Sequence, residues 1–515
     1  MGFVYSFYAP AYGTQSSLTD AVIYPSICLQ IIYLYLSVGR LNTMYSDMKE
    51  KLVNEICAVD HLCTTADIWS ANHKSFLGVT GHWIDPSSLQ RRSAALACER
   101  MVGRHTYDAI AAKLSAVHSS YRVGRKVVMT VTDNGSNFVK AFGEFSIAHA
   151  DDDDVLVGDV GHVLTDGEHD EASDYVLPPH QRCASHTLNL LAVHDTEKAL
   201  NNIGYKKVYR STMAKCCGVW NKASRSTQCA DIVHEKLKMS LVVPNDTRWN
   251  SYYHAMAKIK QVIEQYPEEV VQEVFLALDV VQLRDNEITF VKEYCDVMQP
   301  VASALDILQA ENKCFIGFLL PTLTSLKCKL SAVKHCVTLT LPLVDALLDG
   351  LATRFAGYSE REDLIIASVT LPQFRLRWLD DDRKGHARTL LYQYVSSVEQ
   401  QSEREAQSCS VSGSPSPSLE DDFFSFDAQP ADTVDTRAEV DVYLTDTARD
   451  IPSLHRFPRV KALFLKFNTA LPSSAPVERL FSLGGQILTP RRNRLTPGHF
   501  ERQLLLRANK WLLDR

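Results

Sequence analysis

A chain of 515 residues is longer than one hydrophobic core ordinarily serves, so two or three structural units are expected. Its 45% apolar, 22% charged and 9% aromatic residues are the make-up of a folded soluble protein. The net charge of -7 argues against a nucleic-acid partner only until it is placed along the chain. Residues 144–178 hold eleven acids and no Lys or Arg, and the remainder carries +4, so the acidity is local and DNA is not excluded.

The thirteen cysteines show no C-x-x-C pair and no even spacing, and no secretory signal is legible. Reduced thiols in cytosol or nucleus follow. One apolar stretch, 21–39, has the length of a membrane span, but Pro25, Ser26, Gln30 and Ser37 weaken it. A buried helix or strand, or an upstream segment foreign to the rest, is the preferred reading, and no membrane partner is expected.

In chain order, 45–59 places Met48, Leu52, Ile56 and Val59 at helical spacing. Two short apolar runs, 63–71 and 76–84, suit an antiparallel hairpin, and a third strand is expected over 93–101. Residues 107–121 form an Ala-rich helical pattern. The β-branched run 126–131 reads as a strand buried on both faces, ended by the turn residues Thr132-Asp133-Asn134-Gly135. Residues 144–178 read as an acidic disordered insertion. From 180 to 394 the pattern is mostly helical, punctuated by Pro244, Pro300, Pro321 and Pro342. A Ser-, Pro- and Asp-rich linker is expected over 401–445, and the closing segment is basic.

Asp67 falls within one apolar run and Asp133 ends another. A carboxylate in an apolar strand is costly unless something binds it. Were those strands neighbours, the pair could hold divalent ions for phosphoryl transfer. Equally, each Asp could cap a helix or make a turn, for which Asp-Asn-Gly is well suited. His180, Cys183 and His186 have a zinc-like spacing, but a structural zinc needs four ligands and no fourth is evident. No structural zinc is expected, and Cys183 and His186 read instead as a helix start beside the core.

Five blocks resemble, in order, those of the hAT-superfamily transposases and the related zinc finger BED domain-containing proteins: TTADIWSANHKSFLGVTGHWID (64–85), TVTDNGSNFVKAF (130–142), RCASHTLNLL (182–191), NDTRWNSYYHAM (245–256) and a C-terminal block over 471–509. The resemblance implies an α/β, RNase H-like core interrupted by a large α-helical insertion domain, with a C-terminal helical dimerisation region. On that plan 41–143 is the first part of the core and 179–400 holds the rest with the insertion. Residues 446–515 supply the final core helix and dimerisation region, and 1–40 stay unassigned.

The resemblance further implies an Asp-Asp-Glu site for cut-and-paste DNA cleavage and strand transfer. Asp67, Asp133 and Glu478 stand at the three positions and would bind Mg2+ or Mn2+. Glu478 taken by itself is a first-turn acid favoured by the helix dipole. Trp249, next to Arg248, is either a base-stacking residue in DNA hairpin formation or a core tryptophan. Lys206, Lys207 and Arg210, with Arg491, Arg492 and Arg494, are candidate phosphate contacts, and solvated surface charge is the alternative for each. Leu504, Leu505 and Trp511 line one side of the last helix, which buries against its own core or a second subunit. With Leu480 and Phe481 they are the dimerisation candidates, for a homodimer or higher oligomer in the nucleus.

The chain departs from the family at its start. A BED finger's cysteine pair and histidines are absent, because Cys28, Cys57 and Cys63 have the wrong spacing, which removes the expected specific DNA reader. Two functions from different classes stand: a DNA strand-transfer enzyme, and a domesticated or truncated, non-catalytic dimer that binds DNA or chromatin.

Overall fold

The computed structural model describes residues 20–146, 175–244, 249–310, 313–409, 436–489 and 495–513, with side chains omitted at 20–38, 249, 399–409 and 436. Most of the acidic insertion and of the linker lies outside the described residues. So do Arg248, the Trp249 side chain, Arg491, Arg492 and Arg494.

The sheet starts as a hairpin. β1 (Leu62–Ala71) and β2 (Lys74–Ile84) pair antiparallel across Asn72 and His73, whose φ values of 50° and 60° are those a two-residue hairpin turn needs. β3 (Arg91–Met101) adds antiparallel to β2. The chain then crosses through α2 (Tyr107–Ser120) to β4 (Val127–Thr132), which lies parallel to β1 on its other side. After α3 (Ser136–Phe145), the short β5 (His180–Arg182) extends the sheet parallel to β4. The order β3-β2-β1-β4-β5 makes a mixed five-stranded sheet with β1 at its centre.

The expected helix at 45–59 is the C-terminal part of a longer one, α1 (Asp20–Cys57), which also takes in the apolar stretch 21–39. Met48, Leu52 and Ile56 are fully buried, each contributing roughly 1.5–3 kcal/mol of apolar transfer. They join the packing of the sheet with α2, α3, α16 (Ala475–Ile487) and α17 (Pro497–Ala508). A larger second core contains Cys63, Met129 and Val131 from the sheet. It is filled by the helical part of the chain: α4 (Ala184–Val193), α5 (Ile203–Arg225), α6 (Thr227–Leu237), α7 (Trp249–Gln265), α8 (Glu268–Ala277), α9 (Asp285–Gln309), α10 (Leu319–Val333), α11 (Leu341–Arg354), α12 (Glu362–Val369), α13 (Asp381–Cys409), α14 (Thr436–Thr445) and α15 (Pro458–Asn468).

β3 is an edge strand, and its unpaired amides are covered from within the chain. The Asn509 carboxamide, just past α17, accepts from Ala95 N–H and donates to Ala95 O, both at 2.8 Å. Glu501 on α17 accepts from Cys98 N–H at 3.0 Å.

Two expectations need correction. The linker does not reach 445, because α14 buries Val440 and Tyr443 completely, one turn apart. The Tyr443 hydroxyl donates to Val369 O at 2.9 Å, and Glu439 accepts from the first amides of α15. At its other end α13 runs on to Cys409. Second, Pro300 does not punctuate the helical part. It sits buried inside α9, where packing on both sides outweighs the lost hydrogen bond.

Gly317 leads into α10 where a side chain has no room: a β-carbon there would collide with the Ala367 carbonyl. Gly317→Ala is expected to cost about 1–3 kcal/mol, read as a lowered midpoint in urea unfolding. An unchanged midpoint would show that the two backbones separate freely.

Candidate functional site

β1 and β4 are parallel neighbours, so their C-terminal ends share one edge of the sheet. The register pairs Ala66 with Thr132. Asp67 and Asp133 each follow the paired residue by one position, and alternation along a strand places both on the same face. That face of β1 carries Cys63, Thr65, Asp67 and Trp69. The opposite face carries Thr64, whose hydroxyl meets Thr130 Oγ1 at 2.8 Å.

Glu478 arrives from the far end of the chain. In β2 the residue opposite Asp67 is Gly78. A β-carbon on Gly78 would collide with the Phe481 ring and lie 2.8 Å from Val477 Cγ2. α16 therefore rests directly on the β1–β2 pair, which a glycine inside a strand permits. Trp69 stacks on Phe481 with ring centroids 5.7 Å apart and the planes 16° from parallel. Glu478, in the first turn of α16, follows Val477 and is half-buried beside Asp67.

The electrostatics couple Asp67 to each of the other two acids. Burial pushes the Asp67 carboxyl up to about 7, and the charges of Asp133 and then Glu478 add to the rise. The Ile68 N–H, 2.7 Å from Asp67 Oδ1, opposes it. Asp133 Oδ1 accepts from Gly135 N–H at 3.0 Å, so the Asp-Asn-Gly turn chemistry and the site coexist at one residue. The donor set is carboxylate oxygen throughout, which magnesium and manganese favour, and crowded desolvated carboxylates are what a cation relieves. Among the described residues no three His, Cys, Asp or Glu side chains are gathered closely enough to hold an ion. Asp67 thus senses each of the other two acids without a closed cage around it.

Cys183 joins the pieces. Its amide donates to Thr132 O at 2.8 Å, and its thiol caps α4 by accepting from His186 N–H at 3.3 Å. The same sulfur accepts from Ser474 N–H, at 3.3 Å, where α16 begins. Cys183 thus connects the end of β4, the start of α4 and the start of α16. Next to it, His180 Nε2 lies 2.8 Å from Thr132 Oγ1 and its ring stacks on Phe142 at 4.4 Å.

The remaining sequence candidates divide. Lys207 and Arg210 are exposed on α5 and Lys206 is half-buried. Two further lysines of α5 are engaged: Lys215 pairs with the buried Glu287 at 2.5 Å and Lys222 with Asp279 at 3.1 Å. Leu480, Phe481, Leu504 and Leu505 are buried against their own sheet, and Trp511 lies 6.4 Å from Trp83. Leu480, Phe481, Leu504 and Leu505 are thus covered within the chain, while Trp511 is half-buried.

Sequence reasoning missed Gly78, although an isolated glycine in a strand pattern signals close approach of another segment. It also missed a buried polar row beside Asp67 on the same face: Thr65 Oγ1 to Thr80 Oγ1 at 2.6 Å, then Thr80 Oγ1 to His82 Nε2 at 2.7 Å. Burial holds His82 neutral, well below the usual histidine range.

Comparison with known proteins gives one family-model match and two curated relatives. Residues 65–154 match the family model of the ZBED1 RNase-like domain, a span containing Asp67 and Asp133 but not Glu478. An AC transposase of Zea mays is 27% identical over 213 residues, covering 41% of this chain and 24% of that protein. An AC9 transposase of Zea mays is likewise 27% identical over 213 residues, 41% of this chain and 23% of the relative. The chain thus spans about a quarter of the length of the curated relatives it matches.

Because Asp67 keeps its proton to higher pH when folded than when unfolded, folding loses stability as pH rises from about 4 to about 7. The loss is complete above that window. Metal-free Asp67→Asn is expected to be more stable than the parent by about 1–3 kcal/mol at pH 8. The difference should vanish near pH 4 in urea unfolding at the two pH values. A constant difference would mean the carboxyl is neither desolvated nor crowded. Gly78→Ala should cost about 1–3 kcal/mol by levering α16 off the sheet, with Trp69 fluorescence reporting the loss of its stacked partner. Unaltered fluorescence and stability would refute the close approach.

Proposed function

Starting from a chain related to the hAT-type transposases, we propose that it acts on DNA through Asp67, Asp133 and Glu478, by divalent-metal-dependent strand cleavage and transfer. The observation that carries this reading is geometric: the parallel strands β1 and β4 end with Asp67 and Asp133 on one face, and α16, which bears Glu478, rests on the β1–β2 pair at Gly78 opposite Asp67. In this arrangement the Asp67 carboxyl is also raised.

Mg2+ or Mn2+, when bound, would supply the charge neutralisation on phosphate that in-line displacement requires. The residues divide the remaining work. Asp67 and Asp133 offer oxygens from the two central parallel strands, and Glu478 offers its own from α16. Lys206, Lys207 and Arg210 would contact phosphates, without reading sequence, on the solvent side of α5. A DNA substrate would be met in the nucleus. Self-association, which the family resemblance implies, would use surfaces other than the buried Leu504–Leu505 stripe.

The second reading is a non-catalytic, DNA- or chromatin-binding relative. The observation favouring it is that the described carboxylates do not close into a three-ligand group.

A nicking assay on supercoiled DNA with Mg2+ or Mn2+ separates the two. Asp67→Asn, Asp133→Asn and Glu478→Gln are each expected to lower the rate by about a hundredfold or more while DNA retention on filters is kept. Retention without any metal-dependent nicking would give the second reading. For the basic helix, Lys207→Ala with Arg210→Ala is expected to weaken binding equally across unrelated sequences. The slope of log affinity against log salt should become shallower by roughly 1–2, measured by fluorescence anisotropy. An unchanged slope would remove α5 from the interface.

A further inference from the structure

Arg91 is a buried cation whose described partners include no carboxylate. It opens the edge strand β3, opposite Ile84 of β2. Its guanidinium reaches across to the end of α15, donating from Nη1 to Thr469 O at 2.7 Å and from Nη2 to Asn468 O at 2.5 Å and Ala470 O at 3.3 Å. The group also lies over the Phe315 ring, 4.8 Å from its centroid.

Burying a guanidinium is costly unless it is well bonded, and burial lowers this one to about 10. The last carbonyls of a helix lack partners within it and form the negative end of its dipole. A planar fork is the group suited to bind several of them at once. The cost is understandable if the segment being gripped must be held in one place.

That segment is the connection between α15 and α16, and other groups grip it too. Ile316 N–H donates to Ala470 O at 3.1 Å, and Ala184 N–H to Pro472 O at 2.8 Å. The fully buried Asn468 accepts from Gly317 N–H at 3.2 Å and donates to Ala367 O at 2.9 Å. Ser474 N–H meets the Cys183 thiol. Glu478 then follows in the first turn of the next helix. Arg91 ties this connection to the edge strand β3, and the Cys63 thiol of β1 bonds the Leu471 backbone within it.

We propose that Arg91 is a positioning residue for Glu478: by clamping the carbonyls of 468–470 it fixes where α16 begins, and hence where its carboxylate meets Asp67 and Asp133. The role in catalysis rests on the reading of the three acids as a DNA-cleaving site. The clamp itself does not.

The test pairs single-turnover nicking with hydrogen exchange of the full chain, for the parent, Arg91→Lys, Phe315→Leu and Glu478→Gln. Phe315→Leu keeps the guanidinium and removes only the ring beneath it, a milder change should Arg91→Lys fold poorly. Arg91→Lys is expected to speed exchange over 469–482 by about tenfold or more, with protection of β1 and β4 unchanged. The cleavage rate should fall by about tenfold to a hundredfold at unaltered half-saturating DNA concentration, as for a misplaced group. Glu478→Gln should abolish nicking with parental exchange. Parental exchange over 469–482 in both Arg91→Lys and Phe315→Leu overturns the clamp, and loosened exchange with parental cleavage overturns its role in positioning. If the parent does not nick, the catalytic reading fails by itself and the exchange arms still decide the clamp.

Discussion

Where α16 crosses the β1–β2 pair, the helix and the sheet come so close that Gly78 has no space for a β-carbon. That approach determines much of what surrounds it. It brings a C-terminal helix onto a sheet built from residues 62–182 and stacks Phe481 on Trp69. It also sets the first turn of α16 beside the carboxylate opposite Gly78. The long helical stretch between β5 and α16 must end where this contact can form. The dense bonding of residues 468–474 to Arg91, Gly317, Ala184 and Cys183 is how the chain meets that demand.

The contact has an electrostatic consequence. Asp67 lies in partly desolvated surroundings within reach of the charges of Asp133 and Glu478, and its pKa is raised. Stability alone would favour an amide or an apolar residue there, since crowded like charges weaken the fold. A chain that keeps Asp67 at the centre of its sheet bears a stability cost that a cation can offset. The polar row of Thr65, Thr80 and His82 beside it shows that this part of the sheet is not a simple apolar layer. Its hydroxyls and imidazole are bonded to one another, with His82 Nδ1 left unpartnered.

Much of the first half of the molecule was legible because its signals are local. The hairpin, the Ala-rich α2 and the β-branched β4 have periodicity and turn chemistry that survive without tertiary context. Asp67 and Asp133 stood out for the same reason, as acids in apolar runs. Glu478 did not: by itself it is an ordinary first-turn acid, and only the block resemblance singled it out. The Leu504–Leu505 stripe could not be resolved from sequence, since an apolar helix face is the same whether it meets its own sheet or another subunit. The end of the linker was misjudged because Ser, Pro and Asp dominate composition up to α14, whose buried face is only Glu439, Val440 and Tyr443. Arg91 was invisible because its partners are backbone carbonyls more than 370 residues away in sequence, and carbonyls leave no signature in side-chain pattern.

The central claim is that Asp67, Asp133 and Glu478, drawn from three distant segments, form one divalent-cation site. Titration of the metal-free chain with Mn2+, followed by electron paramagnetic resonance, tests it without requiring activity. The account predicts Mn2+ binding that is lost in Asp67→Asn and in Asp133→Asn and weakened in Glu478→Gln. Binding that persists in either aspartate variant, or absence of binding by the parent chain in the presence of DNA, would contradict it.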